Sequence, residues 1–168
     1  INFSYSDADR KCFTMVNPED DGAGRVLNKE RTLQRMRVIW QHIILVMEQK
    51  FKVNFPILCG IGCGAFKGSY GARVPLLWGT ALAQVICNSS KVLKNVKAIF
   101  VSLPTFGMDN NFGPFASAMQ SVFDAEKAKG VVALYPPVVL VEDASMIDMA
   151  KELAETPLED GKAAVVGV

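Results

Sequence analysis

Apolar positions in this chain follow two rhythms in alternation, and the alternation predicts the architecture. Over residues 29–50, Leu33, Met36, Val38, Ile39, Trp40, Ile43, Ile44, Val46 and Met47 recur near helical spacing, giving a long amphipathic helix. The run at 55–61 is short and apolar and breaks into glycines, which reads as a buried strand. Helical spacing returns over 74–86, with Pro75 tolerated in the first turn. Residues 96–103 read as the next strand, and 112–129 as a third helix closed by Gly130. A further strand at 138–141 ends in Glu142 and Asp143, and Ser145 opens a helix over 146–155. After a turn over 156–161, the apolar run 163–168 reads as a terminal strand. Residues 1–28 are polar and turn-rich, and 17–24 mark a loop, so this segment reads as irregular.

Short apolar strands alternating with helices predict an α/β fold: a mostly parallel sheet with helices on both faces. With 168 residues, half of them hydrophobic, the chain suffices for a single domain with a substantial core. Ligands of such sheets gather at the carboxyl ends of the strands. Three of those ends carry distinctive chemistry. After the first strand come glycines, after the second Phe106 with Asp109, Asn110 and Asn111, and after the third Glu142 and Asp143. Together they offer amides for a diphosphate, an aromatic plane for a base or ribose, and a carboxylate for an amine or hydroxyl. The combination points to a nucleotide-like ligand.

Gly60, Gly62, Gly64 and Gly68 lie within nine residues at the strand-to-helix junction. Missing Cβ atoms let backbone N–H groups approach an anion, and the positive end of a helix dipole converges on the same place. The competing reading is a tight turn whose glycines only permit close helix–sheet packing. A formal net charge of +1 gives no reason to expect nucleic-acid binding, so any anion specificity is local. The arginines Arg31, Arg35 and Arg37 read as a solvated face, with Arg31 or Arg35 the alternative contact to a phosphate. Cys12, Cys59, Cys63 and Cys87 contain no C-x-x-C pair, and Cys59 and Cys63 have no histidine in support, so neither a metal site nor a cofactor is expected. Free thiols in a reducing compartment are expected, with Cys63 a small buried residue rather than a nucleophile. The single histidine, His42, sits inside the first helical pattern. No apolar run reaches the roughly 18 residues that span a bilayer, and no membrane partner is expected.

Two familiar nucleotide loops fit poorly. The segment from Gly60 to Ala65 satisfies G-x-G-x-x-A, but that dinucleotide fingerprint expects an acid about 20 residues on at the end of the next strand. Here the next strand ends in Ser102 and Leu103, farther along and without a carboxylate. A P-loop is absent, because no Gly-Lys-Ser/Thr follows the glycines.

Gly62-Cys63-Gly64-Ala65-Phe66-Lys67-Gly68 resembles the diphosphate-binding loop of macrodomains of the poly(ADP-ribose) glycohydrolase type, where a Gly-Cys-Gly-Ala-Phe run follows a buried strand. The order of elements over 29–128 is similar too. Residues 138–145 are similar to the family's strand that ends in an adenine-binding Asp, and 163–168 to its strand leading into an Asn-rich ribose loop. The resemblance thus implies a macrodomain-like fold in permuted order, or an incomplete piece of one. It implies ADP-ribose or an ADP-ribosylated protein as partner, with Gly60, Gly62, Cys63, Gly64, Ala65, Phe66 and Gly68 around the diphosphate and distal ribose. Phe106 would pack near the adenosine and Asp143 would bind adenine, unless Asp143 only caps the following helix.

The family's Gly-Gly-Gly…Gln-Glu-Glu catalytic signature is absent from these residues. Glycosidic cleavage needs a carboxylate as acid or base, and Asp20, Asp21, Asp109 and Glu142 are candidates that no spacing fixes. The expected function is an ADP-ribosyl hydrolase, with a non-catalytic ADP-ribose reader and an NAD-dependent oxidoreductase as alternatives. A cytoplasmic location is expected, or a host cytosol if the chain is a secreted bacterial effector.

Overall fold

The computed structural model describes residues 13–15, 25–61, 63, 71–103, 110–130, 135–142, 145–158 and 164–168. In chain order the elements are β1 (Phe13–Met15), β2 (Arg25–Leu27), α1 (Lys29–Gln49), β3 (Phe55–Cys59), α2 (Arg73–Ser89), β4 (Ile99–Leu103), α3 (Phe112–Ala128), β5 (Val138–Glu142), α4 (Met146–Ala154) and β6 (Val166–Gly167). β1 and β2 pair antiparallel within the segment expected to be irregular. Three-residue strands are too short to show a period, so sequence patterning passes over them.

The other four strands form one all-parallel sheet in the order β5-β4-β3-β6. Its register sets Leu58 beside Val101 and Leu140, and Cys59 beside Ser102 and Val141. On one face Leu58, Ile99, Val101 and Leu103 are buried in a common core with residues of α1, α2 and α3. Ile57 is equally buried but points to the opposite face, where α4 lies against β3 and β6. The connections explain this split. β3-α2-β4 and β4-α3-β5 step across the sheet in one direction, while β5-α4-β6 steps back, so right-handed crossovers send α4 to the far side.

Local chemistry places each helix. Asn28 caps α1, its side chain accepting from the Arg31 N–H at 3.0 Å. Leu33, Met36, Trp40 and Ile44 then form the buried stripe of α1. Trp40 meets Trp78 of α2 edge-on, with ring centroids 5.1 Å apart, and its indole N–H donates to the Trp78 carbonyl at 3.3 Å. α2 is buried on most of its circumference and packs against both α1 and α3. Phe115 of α3 is fully buried against that layer, a burial worth roughly 2–3 kcal/mol.

A polar network closes the amino end of the sheet. Glu48, only 3% exposed, accepts from the backbone N–H groups of Asn95 and Val96 and from the Asn95 side-chain amide. The Asn54 side chain donates to the Asn95 carbonyl at 3.0 Å and accepts from the Val165 N–H at 2.9 Å. One network therefore joins the end of α1, the loop before β4 and the start of β6.

Candidate functional site at the carboxyl rim

Because all four strands are parallel, their carboxyl ends share one rim of the sheet. The Gly60 N–H donates to the Ser102 carbonyl at 3.2 Å, which extends the β3–β4 ladder one step and brings Gly60 beside Leu103. Leu103 in turn stands opposite Glu142. Gly60, Leu103 and Glu142 thus form a row across three strands, and two strand spacings put Gly60 roughly 10 Å from Glu142. The three strand ends named in the sequence analysis thus share one rim.

The start of the glycine segment is a tight turn. Cys63 donates its N–H to the Gly60 carbonyl at 3.0 Å and buries its side chain completely in the core. A Cβ added at Gly60 would lie 3.1 Å from Leu103 Cδ2 and 3.2 Å from Cys63 Sγ. A larger residue at Gly60 would thus require Leu103 or Cys63 to give by a few tenths of an ångström, and the Gly60 backbone lies outside the left-handed region that Gly71 and Gly130 adopt. Both amides are already engaged, so Gly60 and Cys63 brace the loop rather than offer N–H groups to an anion. Gly62, Gly64, Ala65, Phe66 and Gly68 lie outside the described residues, as do Phe106 and Asp143.

α2 begins where this segment ends. Its N-cap position, Ala72, makes no side-chain capping bond. Asn28 and Ser145 cap α1 and α4 with their side chains, whereas the N-cap position of α3, Asn111, like Ala72, makes no side-chain capping bond, and the neighbouring Asn110 accepts from the Gly113 N–H at 2.9 Å. The start of α2 carries the end of a helix dipole that favours negative charge. The capping of α4 by Ser145 removes the helix-capping duty considered for Asp143.

Other candidates fall as follows. Glu142 is exposed at the rim; Asp20, Asp21 and Asp109 lie outside the described residues. Arg37 pairs with Glu30 at 3.5 Å, and His42 is exposed on α1. Next to Gly60, partial desolvation pushes the Cys59 thiol above its ordinary value. A thiol so shifted is mostly protonated at neutral pH and is a weak nucleophile. Alkylation of Cys59 by iodoacetamide, followed by peptide mass mapping, is expected to lag behind a free cysteine at pH 8 and to catch up only as the pH climbs past 9. Faster labelling than the free thiol at pH 8 would contradict that assignment.

An apolar cavity of about 680 Å³ runs along β3 from its amino to its carboxyl end, lined among others by Met47, Phe51, Val53, Ile57, Ile61 and Met146. Sequence reading did not identify it, since its wall is drawn from α1, β3, α4 and β6 and no single segment signals it. His42 and Cys59 supply its few polar side-chain atoms, so its wall does not suit a diphosphate. No family model matches this chain, and no curated protein matches it. No helix among the described residues is long and apolar enough to cross a membrane.

Proposed function

We propose that this chain binds ADP-ribose across the carboxyl rim of its sheet and acts as an ADP-ribosyl hydrolase that releases ADP-ribose from modified proteins. The observation that carries the reading is the row Gly60–Leu103–Glu142, which aligns the exits toward the glycine segment, Phe106 and Asp143 along one edge. In this arrangement the amides of Gly62 and of 64–68 and the start of α2 take the diphosphate, while Asp143 at the end of β5 meets the adenine. Two further features support it. Ala72, at the N-cap position of α2, makes no side-chain capping bond, and Ser145 is the N-cap of α4. The motif resemblance suggests the ligand, and the shared rim supports the reading by setting these three strand ends side by side.

Hydrolysis requires a carboxylate at the anomeric carbon, to protonate the leaving group or to activate water. Glu142 is exposed on the rim but adjoins Asp143 at the adenine end, so this reading does not give it the anomeric carbon. The oxidoreductase alternative gains nothing from the structure, because β4, the strand after the glycines, ends in buried Ser102 and Leu103. A dinucleotide fold would place its ribose-binding acid at such a strand end.

Calorimetry with ADP-ribose, NAD and ATP tests the ligand class, and ADP-ribose is expected to bind most tightly. Preference for NAD would sink the proposal. Gly64→Glu sets a carboxylate against the diphosphate and is expected to weaken ADP-ribose binding by more than about a hundredfold, the effect of a like-charge contact costing about 3 kcal/mol. Release of free ADP-ribose from an ADP-ribosylated protein separates hydrolase from reader.

A further inference from the structure

The end of the sheet away from the rim presents a different surface. In a parallel sheet every helix-to-strand loop falls at the amino end, and the loops leading into the central strands β3 and β4 are the lysine-rich ones. Lys50 and Lys52 precede β3, and Lys91, Lys94 and Lys97 precede β4; all five are exposed. Residues 49–54 and 88–98 contain no acidic side chain. Two apolar residues stand exposed among these lysines, Phe51 at 55% and Val92 at 47%, and Lys50 Nζ lies 5.3 Å from the Phe51 ring centroid.

The two loops are held together as one surface. Lys97 donates its N–H to the Asn54 carbonyl at 2.8 Å, and the Asn54 side chain donates to the Asn95 carbonyl. Beneath them Glu48 gathers the Asn95 and Val96 N–H groups. The carboxylate that touches these loops is therefore buried, with its oxygens turned inward to N–H donors, and the outward charge is that of the lysines. Glu152 and Glu155 fall at the end of α4, on the path to β6, which enters the sheet beside β3; the lysines flank the entries to β3 and β4.

We propose that this surface docks on a lipid bilayer carrying anionic headgroups, with Phe51 and Val92 entering the headgroup region. Charge complementarity supplies the attraction, each lysine near such a surface strengthening binding about fivefold. The exposed Phe and Val supply an apolar contact, as on proteins that lie at an interface without spanning it. This mode needs no long apolar run, so the sequence expectation of no membrane partner, drawn from run length, does not address it. A nucleic acid would satisfy the lysines and stack on Phe51, but it would leave Val92 without a role, and the loops offer no arginine fork for phosphate or base. The strands are five residues long, so the surface lies roughly 16 Å from the carboxyl rim and leaves that rim open.

Co-sedimentation with vesicles tests this. The chain is expected to partition onto phosphatidylcholine vesicles containing phosphatidylserine and not onto phosphatidylcholine alone, and to be released at about 1 M salt, where the screening length falls to about 3 Å. The triple variant Lys91→Gln, Lys94→Gln, Lys97→Gln should weaken partition about a hundredfold at unchanged thermal stability. Phe51→Ser with Val92→Ser keeps the charge and should weaken it roughly tenfold. Absence of partition by the unaltered chain overturns the proposal, as does partition indifferent to the lysine variant. Lysine-dependent binding of a single-stranded RNA oligonucleotide by a chain that ignores the vesicles overturns it as well.

Discussion

Gly79→Ala is expected to destabilise the chain by about 3 kcal/mol, the upper end of ordinary overpacking, and to lower Tm by roughly 6–12 °C. Alanine is the better helix former by about 1 kcal/mol, so propensity alone predicts the opposite sign. The crossing of α2 and α3 decides the matter. A Cβ at Gly79 would stand 2.4 Å from the Phe115 carbonyl oxygen and 3.1 Å from its carbon. These are backbone atoms of a helix, and no rotamer change can move them. Either α3 shifts bodily away from α2, or the Phe115 ring leaves a site where it is wholly buried. Thermal unfolding followed by circular dichroism gives the answer, and a Tm equal to or above that of the parent would refute the close crossing.

Glu48→Ala is expected to cost about 4 kcal/mol, because it strands two backbone N–H groups and one side-chain amide at the amino end of the sheet. Each buried donor left without an acceptor costs about 1–3 kcal/mol, and domains of this kind have only about 5–15 kcal/mol in total. Glu48→Gln keeps one acceptor oxygen while turning an amide N–H₂ toward other donors, so a loss of about 2 kcal/mol is expected. Urea unfolding distinguishes the cases. The midpoint should fall for both variants, further for Ala than for Gln. A Glu48→Gln midpoint equal to the parent's, with only Glu48→Ala lowered, would mean that the carboxylate acts by filling space rather than by accepting hydrogen bonds.

How much of this was readable in advance differs between fold and site. The helices and central strands emerged close to their observed bounds because long periodic segments bury one face continuously: α1 was expected over 29–50 and spans Lys29–Gln49. The strand before Pro104 was expected from residue 96 but starts at Ile99, because Asn95 and Val96 are held by Glu48, a residue 47 positions from Asn95 in sequence. Periodicity carries no trace of such a bond. At the site, the order of elements made the shared rim legible, whereas the engagement of the Gly60 and Cys63 amides depends on Ser102 and on turn geometry. Glycine density signals closeness of backbone to something, and at Gly60 that something is Leu103 and Cys63.

The Asn54–Val165 contact bears on how the sheet is assembled. The Val165 N–H reaches the Asn54 side chain across a separation of 111 residues, and the Asn54 N–H returns to the Val165 carbonyl at 2.7 Å. β3, β4 and β5 are neighbours in sequence as well as in space, so each can add to the sheet by closing one helix-length loop. β6 must instead come back past both of its predecessors to the far edge. Pairing β6 with β3 sets Val166 beside Phe55, the widest sequence separation in this sheet, and such non-local pairings are the slow ones to form. A two-residue strand offers few ladder bonds in return, and Asn54 provides further ones at the point where the strand enters. The edge of the sheet beside β3 thus depends on a side chain at its amino end as well as on its ladder.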